Sequence, residues 1–175
     1  MDNELLGVDN MKVKKENRYE ELIEKILEKD KVRVIDYFPE KIKDWNRYEP
    51  IEWFLMKKEN RKKYARKIIR ILLKLMPYYD VKIVIPETGK KRLKKYEGIL
   101  PYQKMKISDM CRILQKVIIC DETVSVLIES LKITIQIQLY NTAVYFYEYQ
   151  EVPLLEKIII SEGMFYWTME ESEEV

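Results

Sequence analysis

The sequence predicts an α+β fold in which an antiparallel sheet, with a central hairpin at about residues 131–149, is packed by several helices. Residues 131–139 alternate apolar and polar side chains without a break, which is the period of a strand with one buried face. Residues 60–76 place apolar side chains at steps of three and four, which is the period of a helix. No Gly-, Ser- or Pro-rich linker interrupts the chain, so we expect residues 1–175 to form a single domain.

The first third of the chain is predicted to contain helices and one strand. Residues 1–14 show no period and are expected to be flexible, whereas residues 16–30 follow a helical pattern. The β-branched stretch Val32–Asp36 is typical of a strand, and a short helix is predicted to start at Pro50 and run to Met56. The helix at 60–76 is then closed by a proline.

The middle of the chain combines a strand with a basic segment. Residues 81–85 are rich in β-branched side chains and stop at Pro86, as a strand would. Residues 88–106 follow, with seven Lys or Arg against one Glu, and we expect a mobile loop that is poorly packed over residues 90–106. A helix at about 110–119, capped by Ser108 and Asp109, and a second short helix at 122–129 are predicted next.

The last third is predicted to pair strands 131–139 and 144–149 around a turn at Asn141 and Thr142. That turn would pair Leu139 with Val144 and Ile137 with Phe146. A helix is expected from Pro153 to a stop at Gly163, followed by a short strand at 165–167. The acidic residues 170–175 are expected to form a flexible tail.

The composition disfavours catalysis. The chain contains no histidine, so Ser-His-Asp, Cys-His and His-based metal sites are excluded. Cys111 and Cys120 alone cannot build a zinc site, and no phosphate-binding glycine motif is present. We therefore expect no cofactor, no metal and no enzymatic activity. One alternative is a metal-dependent nuclease using Asp80 and Lys82, which flank Val81 at the start of a predicted strand.

The chain has neither a membrane-length apolar run nor a basic-then-apolar start typical of a secretory signal. These features, and cysteines without a disulfide pattern, predict a cytoplasmic protein with no membrane partner.

Charge is strongly separated along the sequence. Residues 57–106 carry 17 Lys or Arg against 4 Asp or Glu, a net charge of +13 that leaves −11 for the rest of a chain whose net charge is +2. A basic helix face and a lysine-rich loop are the features that bind phosphate backbones. The nucleic-acid candidates are Lys63, Arg66, Lys67, Arg70, Lys90, Lys91, Arg92, Lys94 and Lys95.

Tyrosine is the other abundant functional residue type, with 13 in the chain. Alternation places Tyr145, Tyr147 and Tyr149 on one face of the hairpin, together with Gln136 and Gln138. If that face is open, it has the composition of a protein interface; if a helix covers it, the tyrosines belong to the core.

Several fragments are similar, in order, to a group of small uncharacterised proteins from Gram-positive anaerobic bacteria. They span most of residues 32–168 and are Ile35-Asp36 with Phe38-Pro39, Ile51-Glu52 with Phe54-Leu55, Tyr78-Tyr79-Asp80, Tyr140-Asn141, and Glu162-Gly163-Met164-Phe165 with Trp167. The resemblance implies no activity and no site residue.

Small size, missing catalytic groups and uneven charge favour a non-catalytic protein-binding function, such as an immunity- or antitoxin-like inhibitor or an interaction module. The alternatives are a nucleic-acid-binding protein using residues 57–106 and, third, the metal-dependent enzyme.

Overall fold

The structure is a computed structural model that describes residues 18–29 and 31–168. Within these ranges it confirms the predicted α+β class. The helices are α1 (18–27), α2 (Trp45–Leu55), α3 (Lys58–Leu75), α4 (Ile107–Ile119) and α5 (Pro153–Ser161). The strands are β1 (Val32–Asp36), β2 (Val81–Ile85), β3 (Gly98–Ile99), β4 (Val124–Ile128), β5 (Ile133–Gln138), β6 (Asn141–Phe146) and β7 (Phe165–Thr168). The segments 1–14 and 170–175, predicted to be flexible, lie outside the described residues.

The strands form one antiparallel sheet in the order β3-β2-β4-β5-β6-β1-β7. The predicted hairpin is therefore central, since β5 is the middle strand and β6 lies beside it. Strand β1 comes from the start of the sequence yet lies between β6 and β7. Among the described helices, none has the length and apolar character needed to cross a membrane.

The larger core lies between one face of the sheet and helices α3, α4 and α5. Of the apolar stripe predicted for α3, five residues are buried and two, Leu73 and Met76, are half-buried; the buried ones are Tyr64, Ala65, Ile68, Ile69 and Leu72. Strand β5 buries Ile133, Ile135 and Ile137, each at most 1% exposed. These burials confirm which side chains the alternation placed on the core face.

Helix α1 covers part of the opposite face of the sheet. Its Ile23 and Ile26 are buried in a second cluster with Val84 of β2 and Leu127 of β4. The sheet is thus covered on both faces over its β2–β4 region, which explains why β4 contains no exposed position.

The prediction of a helix at 122–129 is wrong, because Val124–Ile128 is strand β4. All five residues are buried. A strand covered on both faces loses the apolar–polar alternation that distinguishes a strand from a short buried helix. The β-branched Val124 and Val126 were the local signal for a strand.

The predicted hairpin register is also wrong. Ile137 pairs with Thr142, and Phe146 pairs with Ile133, because the chain turns at Leu139 and Tyr140 rather than at Asn141 and Thr142. Tyr140 takes the left-handed conformation at φ 58°, which costs a non-glycine residue about 1 to 2 kcal/mol. Its hydroxyl donates to the Leu55 carbonyl and its ring packs 4.7 Å from the Tyr64 ring, so tertiary contacts offset this cost.

The prediction that residues 90–106 are poorly packed is wrong as well. Leu93 and Leu100 are 0% and 5% exposed, and both belong to the larger core. Strand β3 within the segment pairs with β2, and the Thr88 amide donates to a Glu97 carboxylate oxygen at 2.9 Å. Two buried leucines therefore anchor a segment whose charge suggested a free loop.

Two helix starts differ from prediction. Helix α2 begins at Trp45, not Pro50, because the Asp44 carboxylate caps it by accepting from the amides of Asn46 and Arg47 at 3.1 and 3.4 Å. Helix α4 begins at Ile107, one residue before its predicted cap. The predictions of β1, β2, α3, α5 and β7 are confirmed to within two residues at each end.

Candidate protein-binding surface

The tyrosine face of the hairpin is partly covered. Tyr145 and Tyr147 are half-buried in the second cluster, against α1. The Tyr147 ring lies between two ammonium groups, 4.9 Å from Lys29 Nζ and 5.4 Å from Lys132 Nζ. Strand β6 ends at Phe146, so Tyr149 lies beyond the strand and is 49% exposed. The three tyrosines therefore do not form one open platform.

The two glutamines of the same face are half-buried. The Gln138 side-chain amide donates to the Thr123 hydroxyl at 2.8 Å, which joins β5 to the residue before β4. Gln136 lies opposite Ser125 on one side and Ala143 on the other. Both residues lie in the middle of the sheet rather than on a projecting surface.

The basic candidates of α3 contact the connection between α5 and β7. Arg70 and Lys74 hold the buried Glu162 carboxylate at 2.7 and 2.6 Å, and Lys67 donates to the Gly163 carbonyl at 3.0 Å. Burial opposes the charge of Glu162, but its two cationic partners outweigh burial and lower the pKa of this carboxyl. Lys63 and Arg66 are exposed, about two turns and one turn before Arg70.

The basic candidates of residues 90–95 contact a different part of the fold, the end of α4. Lys90 forms an ion pair with Glu122 at 3.1 Å, and Arg92 donates to the Cys120 sulfur at 3.0 Å. Lys95 lies over the Tyr96 ring at 5.1 Å. Lys91 and Lys94 are exposed, so fewer cations are free to meet a polyanion than the sequence suggests.

Asp80, the candidate for a metal-dependent site, is exposed before β2, and its carboxylate pairs with Lys82 at 2.6 Å. Within the described part of the chain, no three Asp, Glu or Cys side chains are close enough together to hold a metal ion.

A cleft of about 530 Å³ near these candidates lies between α1 and the end of β4. Its polar groups largely satisfy one another, since Arg18 pairs with Glu129 and Lys132 lies over Tyr147. A small-molecule site would instead have polar groups that converge on an empty position, so this cleft is not the candidate site.

Helix α2 is the element that the sequence did not identify as a site. None of its residues is buried, although it carries six large apolar side chains. Four of them are exposed by 44 to 71%: Trp45, Ile51, Trp53 and Phe54. We call these four residues the α2 surface. Four exposed large apolar side chains on one 11-residue helix are uncommon outside interaction sites.

Contacts at both ends hold α2 in place. Asp44 caps its start, and near its end the side chains of Asn60 and Tyr140 donate to the carbonyls of Phe54 and Leu55. On its inner side, the Tyr48 ring packs edge-on against Phe38 at 5.8 Å. The exposed side chains are therefore presented by a positioned helix, as a binding surface requires.

Two acidic residues, Glu52 and Asp36, act on the Tyr48 hydroxyl of α2. Partial burial raises the pKa of the Tyr48 hydroxyl, and the charges of Glu52 and Asp36 raise it further. Glu49, Glu52, Trp53 and Met56 line a hollow of about 220 Å³ along one side of the helix. The apolar residues flanking Pro50 were visible in the sequence, but only the structure shows that nothing in the described chain covers them.

Comparison with protein-family models, with curated proteins and with solved structures finds no match to this chain.

Proposed function

We propose that this chain is a non-catalytic protein-binding domain, of the kind represented by immunity and antitoxin-like inhibitors, and that it binds its partner through the α2 surface. The observation that supports this proposal is the 55 to 71% exposure of Trp45, Trp53 and Phe54 on a helix that is capped at its start and held to the fold near its end. Tryptophan and other aromatic side chains at the centre of interfaces contribute most to binding, because they bury a large apolar area.

The two free cysteines, Cys111 and Cys120, support a cytoplasmic location for this function. Both thiols lie on or next to α4, and a reducing compartment keeps such thiols unpaired.

The test is a titration of the partner against surface variants. A protein that co-purifies with the chain would be identified by mass spectrometry, purified, and titrated by calorimetry against the wild type and Trp53→Ala. We expect affinity to fall by about 30-fold or more, which corresponds to the 2 kcal/mol typical of an interface hot spot.

The matched control is Ile107→Ala, which removes an apolar side chain that is 62% exposed on a different helix. It should change affinity less than about twofold. An identified partner whose affinity is the same for Trp53→Ala and for the control would remove α2 from the interface.

A second candidate function is binding of nucleic acid through Lys91 and Lys94. The observation that favours it is that Leu93, between them, is fully buried and therefore holds both exposed ammonium groups on an anchored segment. Such binding would weaken steeply with salt, because each neutralised phosphate releases counterions.

A further inference from the structure

The hollow on α2 lies within a single face of the helix. Its residues follow one another at three- and four-residue steps, from Glu49 through Glu52 and Trp53 to Met56. Two carboxylates, an indole ring and a thioether therefore border the same space. Trp45 lies four residues before Glu49, on the same side of the helix.

The two carboxylates are not neutralised within the part of the chain that the structure describes. No described Lys or Arg lies within ion-pair distance of Glu49 or Glu52. Arg61 donates to the Met56 carbonyl at 2.8 Å and contacts the Met56 sulfur at 3.4 Å, rather than pairing with either glutamate. Both carboxylates that border the hollow are thus without an ion-pair partner among the described residues.

Trp53 determines which cation suits this hollow. Its side chain is 71% exposed, so the indole ring is free to accept a cation above it. Arginine fits such a position better than lysine, because the planar guanidinium stacks on an aromatic ring while its N–H groups donate to neighbouring carboxylates. A guanidinium is also less strongly hydrated than an ammonium group, so transferring it to a protein surface costs less.

We propose that the α2 surface recognises a partner protein segment in which an arginine is flanked by apolar side chains. The arginine lies over Trp53 and donates to Glu49 and Glu52, while an apolar neighbour contacts Trp45, which lies on the same side of α2. This proposal rests on the proposed function and adds the chemistry of the partner to it.

The experiment uses a random peptide display library as the probe and the full chain as the bait. Selections are run in parallel on the wild type, on Trp53→Ala and on the double variant Glu49→Gln with Glu52→Gln. Glutamine keeps the shape of each side chain and removes its charge, and both positions lie on a helix with no buried residue, so the fold should be retained. Circular dichroism melting of each variant checks this point.

We expect the wild type to enrich peptides that carry arginine at one fixed position beside apolar residues, and Trp53→Ala to lose them. Synthetic copies of these peptides should bind the double glutamine variant about tenfold more weakly, as expected for losing hydrogen bonds between charged groups. Replacing the peptide arginine by glutamine should give a similar loss. Combining both changes should cost little more than either one, because the two changes remove the same interaction.

Different failures have different meanings. Peptides that depend on Trp53 but show no arginine preference would overturn the partner chemistry while leaving the proposed function standing. A selection with no Trp53-dependent peptide would overturn this inference, and the partner titration would then decide the proposed function separately. Sedimentation that shows a dimer abolished by Trp53→Ala would also overturn it, since a second copy of the chain would then occupy α2.

Discussion

Replacing Ile135 by alanine tests the packing of the central strand. Ile135 is 1% exposed on β5, and it lies opposite Val126 of β4 and Val144 of β6. The substitution removes three carbons, worth roughly 2.5 kcal/mol at about 0.8 kcal/mol per buried methylene. Both neighbouring strands are paired on their far sides too, so they cannot close over the space, and a cavity term adds to the loss.

The total expected loss is about 3 to 4 kcal/mol in the free energy of unfolding, a large share of the 5 to 15 kcal/mol typical of a domain. Urea unfolding followed by circular dichroism measures it, with an unchanged m-value indicating that the surface exposed on unfolding is the same. Ile160→Ala is the matched control, because Ile160 is 59% exposed on α5, and its cost should stay within about 0.5 kcal/mol. A cost below about 1 kcal/mol for Ile135→Ala would contradict the packing described for β5.

Three further predictions use the same unfolding or binding measurements. Glu162→Gln should destabilise the chain by about 1 to 3 kcal/mol at pH 7. The pKa of the Glu162 carboxyl is lowered in the folded state, so its stabilisation is present above the unfolded-state pKa of about 4.3. The stabilisation is lost as pH falls through the folded-state pKa. An equal loss of unfolding free energy for Glu162→Gln at pH 7 and at pH 3 would contradict this. Tyr147→Ala should cost about 1 to 3 kcal/mol in urea unfolding, because its ring packs against α1; a neutral result would place the ring outside the core. If the chain binds RNA, changing Lys91, Lys94 and Lys95 to serine should make the slope of log K against log salt concentration shallower by about two to three units. A fluorescence titration at several salt concentrations measures this slope. An unchanged slope would assign the binding to other cations.

The sequence predicts those elements in which one face is apolar and the other is polar. Helix α3 buries apolar side chains on one side and places charged ones on the other. Strand β5 alternates apolar with polar side chains. These periods identify the two elements. Strand β4 is covered on both faces, and its run of apolar residues carries no period from which to choose between strand and helix.

Long-range contacts account for the remaining differences. The turn at Tyr140 depends on Tyr64 and Leu55, which no local rule connects to it. The candidate site was missed for a similar reason: whether Trp53 is covered depends on the position of the whole of α2, not on residues near it in the sequence. Conversely, Tyr145 and Tyr147 share one face as predicted, but Tyr149 lies beyond β6, and only the structure shows α1 packing against that face.

The position of β1 between β6 and β7 has a consequence for folding during synthesis. Strands β2, β4, β5 and β6 are neighbours in the sheet and follow one another along the chain, so they can pair as they leave the ribosome. Strand β1 is made before all of them, yet its partners are made last, and closing so long a loop is entropically slow. Until Phe165–Thr168 has emerged, one edge of β1 has no partner strand, and a chain arrested before that point would expose it to pairing with other nascent chains.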